Sequence, residues 1–569
     1  MKNLQTVHRN FRLISACTVI LAPILKQKGT LLMRNKWIPA ALAAAMLISC
    51  AACTAGETED VPSATPTQST AAQVEEAEGT AVVLSDDGIT VDGQAASTDP
   101  ASAVYMGAEI VYYEDGHDET YGEGTAEEAH SAEEAAAHTV VTITQPGTYR
   151  LSGTLSAGQV AVDLGEDAEN DPGAVVTLIL DGVDITCTVA PAVIFYNVYE
   201  CGSKDTETAS PTVDTSAAGA NVILADGSTN TVTGSHVARI YKEGTQDKLH
   251  KYDGAFYSKM SMNVSGESDE SGTLNIIADN EGLDSALHLT INSGSIFITS
   301  QNDGINTNED GVSVTTINGG RLSINAGLGA EGDGIDSNGY LTINAGEVVT
   351  VANGQSGDGG IDSDSGICLN GGSVLALGSR NDAVETGSSQ AYMELSFAGE
   401  QAAGSSIVIK DSEGNELVSY TAERAFSSLT YTGADLTDGA TYSVYVDGVQ
   451  QQFTGHSFGM GGGMGFGGGQ PQDGQQPPEG MEKPPENMEE PPENMGEPPQ
   501  DGEMPEGERP ERPEGAGGDG QQPPQPTDGG DRQPPEGGMA GDETAEPSTE
   551  FTISADTHSF SGVTGVQSE

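Results

Sequence analysis

Residues 281–306 read EGLDSALHLTINSGSIFITSQNDGIN, and this pattern of short apolar runs between Gly, Asp and Asn recurs along the chain. An Asn followed by two small residues returns every 26 residues, at Asn292, Asn318, Asn344 and Asn370. A fixed period of this length is typical of solenoids, in which each repeat stacks on the next. The runs are rich in Ile, Val, Leu and Thr and lack a helical period, which favours strands. The sequence therefore predicts an all-β fold, a parallel β-helix, with Ile296, Leu322, Val348 and Val374 stacked inside it.

A short acidic motif accompanies each repeat, in the five forms EGLD, DGIN, DGID, DGGID and DAVE. Its acidic and amide residues are Glu281, Asp284, Asp303, Asn306, Asp333, Asp336, Asp358, Asp362, Asp382 and Glu385. Equivalent residues of neighbouring repeats would lie about 4.8 Å apart and form two acidic columns, which repel themselves unless cations intervene. Calcium takes about six to eight oxygen ligands, so the columns predict Ca2+ sites, the best of them around Asp333, Asp336, Asp358 and Asp362. The alternative is that these side chains only hydrogen-bond their own turns.

The overall charge supports cations and excludes one class of partner. The chain has 569 residues, of which 86 are acidic and 22 basic, giving a formal net charge of −64. Nucleic acid is therefore excluded, because its binding needs a basic surface. Cys187 and Cys201 are close enough in sequence for a disulfide in an exported protein, and the alternative is that they are buried thiols.

The N-terminal residues predict export. Arg34 and Lys36 precede an apolar run over residues 37–48, which ends in Leu47-Ile-Ser-Cys50 and resembles a bacterial lipobox. Residues 1–50 are thus expected to be a signal peptide, with residues 1–32 as an over-extended start. Lipidation of Cys50 would anchor the chain to the extracellular face of the cell membrane.

Composition divides the remaining chain into four parts. Residues 51–138 are expected to be a flexible acidic tether, residues 139–390 the β-helix, and residues 391–455 a small antiparallel β cap over its open end. Residues 456–569 are rich in Gly, Pro, Glu and Met and are expected to be a disordered tail, with one stray strand at Phe551.

A series of motifs over residues 139–455 resembles one known family. In order, they begin TITQPGTYRL at Thr142, VTLILDG at Val176, NVILADG at Asn221 and GAFYS at Gly254, followed by the repeated DGIDS. Together they are similar to the bacterial extracellular carbohydrate-binding β-helix domains, which are related to polysaccharide lyases and were first described as cellulose- and pectin-binding. The resemblance implies a right-handed parallel β-helix with calcium between its repeats, and sugar binding without established catalysis.

The ligand is expected to be a polysaccharide, either acidic and pectin-like or a neutral glucan such as cellulose. Trp37, the single Trp, lies in the signal peptide, so Tyr257 and Tyr340 are the candidates for stacking on sugar rings. Two alternatives to a non-catalytic binding module stay open. One is a calcium-dependent pectate lyase with Arg380 as its base, and the other is a structural surface stalk or adhesin.

Overall fold

The computed structural model describes residues 79–113, 129–241, 248–385, 387–457, 546–554 and 557–566. The signal peptide with Cys50, and the greater part of the expected tether and tail, lie outside these residues. The described part is nearly all β-structure, with one short helix and two 3-10 turns, which confirms the all-β class. Within it, every helix falls short of the length and apolar character that crossing a bilayer requires.

The N-terminal strands and helix precede the 26-residue repeats. They are β1 (Thr80–Leu84), β2 (Thr90–Val91), β3 (Gln94–Ala95), β4 (Val104–Gly107), α1 (Ala132–Ala136), β5 (Thr139–Ile143), β6 (Gly147–Leu155), β7 (Gly158–Asp163), β8 (Val176–Thr186) and β9 (Val193–Asn197). The 3-10 turns are Glu166–Asn170 and Thr206–Thr208.

The central strands contain the repeats. They are β10 (Ala220–Leu224), β11 (Thr229–Gly234), β12 (Val237–Tyr241), β13 (Lys248–Tyr252), β14 (Gly254–Ser258), β15 (Met262–Gly266), β16 (Thr273–Ala278), β17 (Glu281–Ser285), β18 (His288–Ile291), β19 (Ser295–Ser300), β20 (Ile305–Thr307), β21 (Val314–Ile317), β22 (Arg321–Asn325), β23 (Ile335–Ser337), β24 (Tyr340–Ile343), β25 (Glu347–Val351), β26 (Gly366–Leu369) and β27 (Ser373–Gly378).

The C-terminal strands form the part that the sequence predicts as a cap. They are β28 (Tyr392–Gln401), β29 (Ser406–Asp411), β30 (Glu416–Thr421), β31 (Phe426–Thr432), β32 (Thr441–Val446), β33 (Val449–Gln452), β34 (Gly455–Ser457), β35 (Phe551–Thr552) and β36 (Ser559–Gly565).

The repeats pair in parallel, each strand with the strand one repeat later. Strands β16, β19, β22, β25 and β27 form one such ladder, in which Ile296, Leu322, Val348 and Val374 are successive partners. All four side chains are buried, which confirms the predicted apolar stack. A second ladder joins β15, β18, β21, β24 and β26. A third joins β5, β7, β9, β14, β17, β20 and β23, with β4 antiparallel at its edge.

The first two ladders belong to a large mixed sheet of 26 strands, and the third forms an eight-stranded sheet. The large sheet is mixed because β31 runs antiparallel to β27, where Leu375 pairs with Tyr431. The cap is therefore continuous with the repeat strands through backbone hydrogen bonds, and is not a separate small sheet.

The Asn positions form a hydrogen-bonded ladder at the fixed turns. The side-chain amide of Asn318 donates to Asn292 Oδ1 at 3.0 Å, that of Asn344 to Asn318 at 2.9 Å, and that of Asn370 to Asn344 at 3.0 Å. Two residues after each Asn, Gly320 and its equivalents have positive φ. A Cβ on Gly320 would lie 2.6 Å from the carbonyl oxygen of Gly294, so the turn requires glycine.

The segment expected to be a tether contains folded strands. β1 pairs in parallel with β6, and Val82, Leu84 and Ile89 are buried in the main core. Composition hides this strand, because five residues of apolar character stand among many Ala, Thr, Ser and Glu. The tether boundary at residue 138 is thus too late for the described residues.

The segment expected to be a tail also returns to the fold. β36 pairs with β28, β33 and β34, and Phe551, Phe560 and Val563 are buried in the second core. The predicted strand at Phe551 is present as β35, and it is paired with β32. The prediction of a tail extending to residue 569 is therefore wrong for residues 546–566 where they are described.

Cys187, Cys201 and Cys368 are free thiols. Cys187 is buried among apolar side chains, and burial raises the pKa of its thiol to about 11. Of the two alternatives for Cys187 and Cys201, the structure thus favours free thiols over a disulfide.

Candidate metal and carbohydrate site

The first predicted column of polar side chains follows the eight-stranded sheet. Tyr257 of β14, Asp284 of β17, Asn306 of β20 and Asp336 of β23 are successive register partners. Asp362 continues the column beyond the last strand, where its backbone N–H donates to Ile335 at 2.8 Å. The register therefore brings together four of the five acidic or amide residues predicted for this column.

The second column lies three or four residues earlier in each repeat and makes different contacts. The backbone N–H of Asp333 donates to Asp303 Oδ1 at 2.7 Å, and that of Gly359 to Asp333 Oδ1 at 2.6 Å. Asp358 Oδ2 accepts from the backbone N–H of Gly332 at 2.6 Å. These three carboxylates thus hydrogen-bond the turns of adjacent repeats, and not only their own turns as the alternative interpretation of the sequence expected.

The last repeat is offset from the predicted pattern. Asp382 donates its backbone N–H to Ile361, and its Oδ2 accepts from Ser363 at 3.4 Å, so it lies beside Asp362. Glu385 lies instead beside Gly366, and its backbone N–H donates to Ile367. The DAVE copy therefore places its first acid, and not its last, next to the column, because its turn has a different length.

Three buried oxygen atoms at the start of the columns have no hydrogen-bond partner. They are Glu281 Oε2, Asp284 Oδ2 and Asn306 Oδ1. The residues are 6%, 0% and 5% exposed, and Asp284 and Asn306 lie close enough to Glu281 to change the pKa of its carboxyl. A buried, unpaired oxygen is costly, and a buried charge far more so unless it is neutralised. The strongest need for a proton or a cation therefore lies here, in the first two copies of the motif, whereas the sequence favours the third and fourth copies.

Burial raises the pKa of most of these carboxyls. Desolvation, reinforced by neighbouring carboxylates, raises the pKa of Glu281, Asp284 and Asp303 well above the usual range. The same causes raise the pKa of Asp333 to about 10 and that of Asp336 to about 7, and they raise the pKa of Asp362 to about 7. Without a compensating cation, these buried carboxyls therefore favour the protonated form at neutral pH more than exposed acids do.

Lys251 is the functional candidate that sequence reasoning missed. It lies in β13, outside the acidic repeats, yet its Nζ donates to Asn308 Oδ1 at 2.9 Å. Asn308 in turn donates its side-chain amide to Asp284 Oδ1. Burial raises the pKa of Asp284, and the charge of Asp253 raises it further, whereas the positive charge of Lys251 lowers it. A search for cations within the repeats alone could not find this residue, because a hairpin of β12 and β13 carries it there.

The donor atoms present suit calcium better than a transition metal. Calcium prefers carboxylate, amide and water oxygens, and the unpaired atoms are two carboxylate oxygens and one amide oxygen. Among the described residues, no three His, Cys, Asp or Glu side chains converge in a way that could hold a metal ion. Glu281, Asp284 and Asn306 supply fewer than the roughly six to eight oxygens that calcium takes, so they would form only part of a calcium site.

The predicted stacking residues differ in their access to a ligand. Tyr257 is 2% exposed and packs edge-on against Tyr252, with 5.4 Å between ring centroids, so its ring cannot meet a sugar. Its prediction as a carbohydrate contact is wrong, because all of β14 is buried on both faces. Tyr340 is partly exposed on β24, and Arg380 is exposed. Both remain accessible to a ligand.

The chain is similar to proteins described as carbohydrate-binding or polysaccharide lyase-like. A relative from Acetivibrio thermocellus, described as a carbohydrate-binding domain-containing protein, is 31% identical over 160 residues. The match covers 28% of this chain and 44% of that relative, so the chain matches less than half of the relative's length. A solved structure described as the polysaccharide lyase-like protein from C. thermocellum, in a gadolinium derivative, is 23% identical with a TM-score of 0.33. The match covers 52% of this chain and 89% of the chain in that structure.

A family model for carbohydrate-binding domain-containing proteins matches residues 137–202 and 202–444. This match includes both acidic columns, the Asn ladder and the greater part of the cap. Because it extends over more than half of the chain, the protein belongs to the family of carbohydrate-binding domain-containing proteins.

Proposed function

We propose that this protein binds polysaccharide without cleaving it, and that the binding depends on calcium held by the acidic columns. Family membership supports carbohydrate binding. The observation that carries the calcium dependence is the group of three buried, unpaired oxygens on Glu281, Asp284 and Asn306. These three residues would hold the ion, which would supply positive charge for a sugar carboxylate or hydroxyl. An acidic, pectin-like polysaccharide is then the favoured ligand, with cellulose as the neutral alternative.

The proposal also includes the fold of the binding domain and its place in the cell. The three parallel ladders, two of which keep the 26-residue period over the Asn repeats, support a parallel β-helix as the frame, and the family resemblance implies that it is right-handed. The lipobox-like residues that end at Cys50 support export and a lipid anchor on the extracellular face of the membrane. At that location the protein would hold polysaccharide close to the cell.

A binding panel tests this proposal. The full-length chain is incubated with polygalacturonate, cellulose and xylan, in calcium and in a chelator, and bound protein is measured. We expect retention on polygalacturonate in calcium and its loss in chelator. Equal retention in both conditions would refute the calcium dependence, and retention on none of the polysaccharides would refute the binding function.

A lyase is the second candidate, because a basic side chain lies near the acidic columns. Lys251 is connected to the buried Asp284 by two hydrogen bonds, both made by the Asn308 side chain. β-Elimination from a uronate needs a base beside the acidified C5 proton. An increase of ultraviolet absorbance from unsaturated product, in polygalacturonate with calcium, would support cleavage and would reject the non-catalytic proposal.

Replacing Lys251 tests its electrostatic role. We expect Lys251→Met to lower the stability measured in chelator by about 1.5–3 kcal/mol, the range for losing a hydrogen bond to a charged group. We also expect a larger gain on adding calcium, because the ammonium no longer repels the cation. Thermal unfolding in chelator and in calcium measures both effects.

The matched control is Lys204→Met, since Lys204 is exposed and its Nζ lies 3.8 Å from Glu309 at the surface. Exposed pairs contribute little, so this variant is expected to match the wild type. An equal response of the two variants would contradict the role assigned to Lys251.

A further inference from the structure

One face of the repeat strands is exposed where the cap ends. On the ladder of β16, β19 and β22, side chains alternate between the core and the outside. We define the outer strip as the six outward side chains at the middle and end of these strands: Asn275, Ile277, Phe297, Thr299, Ser323 and Asn325. In register they form two rows across the strands, one through Asn275, Phe297 and Ser323 and the other through Ile277, Thr299 and Asn325.

Farther along the same ladder, the cap covers this face of the strands. The next two strands of the same ladder place Val349, Val351, Leu375 and Leu377 at the equivalent outward positions. These four side chains are buried in the second core, against cap residues such as Phe397 and Phe426. The outer strip lies beyond that cover, where Ile277 is 47% exposed and Phe297 is partly exposed. Two large apolar side chains therefore face solvent between hydroxyl and amide groups.

The chemistry of the outer strip matches a sugar chain. A sugar ring has an apolar C–H face that packs on an aromatic ring and an edge of hydroxyls that hydrogen-bonds with amides. Phe297 supplies the aromatic ring. The Arg321 guanidinium lies over this ring, 5.8 Å from its centroid, so a sugar that stacks on that face takes the place of the guanidinium. The exposed Thr299 supplies a hydroxyl beside Phe297, whereas Asn325 Oδ1 is buried and without a hydrogen-bond partner.

The spacing and charge of the outer strip narrow the class of glycan that it could bind. Neighbouring strands lie about 4.8 Å apart, close to the length of one pyranose unit, so a chain lying across the strands meets a new pair of side chains with each sugar. All six side chains are uncharged, in a protein of net charge −64. At the border, Arg321 Nε lies 4.0 Å from Glu347 Oε2, so the two charges offset each other. An uncharged, extended glycan suits this face better than a uronate.

We propose that the outer strip is a second glycan site, which binds an uncharged β-linked polysaccharide by stacking on Phe297 and does not use the acidic columns. This inference rests on the proposed carbohydrate-binding function and adds a site to it. The two sites would let one molecule hold a neutral and an acidic polysaccharide together.

The test titrates the full-length chain in calcium with cellohexaose and, separately, with a galacturonate hexamer. We expect Phe297→Ala to weaken cellohexaose binding roughly tenfold or more, the loss of a good aromatic contact, and to leave galacturonate binding unchanged. Ile277→Thr is expected to weaken cellohexaose binding less. Val449→Ala, which truncates a side chain 46% exposed on the cap, is the matched control and is expected to bind as the wild type does.

The outcomes separate the two proposals. If the wild type binds galacturonate but not cellohexaose, or if Phe297→Ala binds cellohexaose as the control does at an equal melting temperature, the second site is refuted and the acidic site stands. If the wild type binds neither sugar, the proposed function fails and the second site fails with it. If Phe297→Ala lowers the melting temperature, Ile277→Thr decides by the same comparison.

Discussion

Removing calcium is expected to lower the melting temperature of the wild-type protein at pH 8 by several degrees, and to have little effect at pH 5. A ligand that binds only the folded state stabilises it by about 2.7 kcal/mol for each site at a hundredfold excess over Kd. The pH dependence follows from the raised pKa values of Asp336 and Asp362, both about 7 in the fold, against about 3.9 for an unfolded Asp. The folded protein retains protons that the unfolded chain releases. Their stabilising effect is complete below pH 4 and is lost as pH rises through 7.

The measurement is thermal unfolding at pH 5 to 8, in calcium and in chelator. In chelator we expect stability to fall as pH rises, whereas calcium compensates the ionised carboxyls and flattens the curve. Asp284→Asn, which removes a carboxyl whose pKa burial raises well above its usual range, should lose less stability than the wild type as pH rises in chelator. Asp167→Asn, an exposed acid in a 3-10 turn, is the matched control. A melting temperature that does not change on chelation at any pH would exclude calcium from the columns.

Phe560→Ala is expected to have the largest effect of any single truncation in the C-terminal segment. Phe560 is 1% exposed, and its ring contacts Phe453 and Phe551, with centroids 4.8 and 5.1 Å away. Removing a buried Phe of this kind costs about 3–5 kcal/mol. We expect the loss to appear in urea unfolding as an earlier transition of the cap.

Val566→Ala is the control for this truncation, because Val566 lies in the same segment but is 40% exposed. It should unfold at the wild-type urea concentration. If Phe560→Ala unfolds there too, β36 does not hold the cap together, and the second core must be stable without it.

The frame of the fold could be predicted because its signals are local and repeated. The fixed Asn positions and the alternation around Ile296 are visible in the letters, and both appear in the strand register. The predictions of a tether and a tail relied on average composition, and they failed for the opposite reason. A few apolar residues, such as Val82 and Phe560, decide whether a segment folds, and averages over many residues hide them.

The candidate site could be predicted only in part. The periodic motif locates the acidic residues, but it does not show which oxygens remain unpaired after the turns take their hydrogen bonds. Asp303 and Asp333 bond backbone N–H groups, whereas Asp284 keeps one buried oxygen without a partner. Lys251 and the burial of Tyr257 depend on a hairpin that packs over the repeats from outside their period. Contacts of this kind have no signal in the spacing of the motif.

The return of the C-terminal strands to the cap makes the low-complexity segment a connection with two fixed ends. Phe453 and Ser548 exchange backbone hydrogen bonds at 2.9 and 3.0 Å, so the described residues on either side of 458–545 lie next to each other. Proteolytic cleavage within this segment would therefore not release the C-terminal piece, which the aromatic contacts of Phe551 and Phe560 would still hold. The protein would persist as a complex of two fragments. The cost of closing such a connection grows only with the logarithm of its length, so this is the position where the chain can gain or lose residues, or accept an inserted domain, at least expense to the fold.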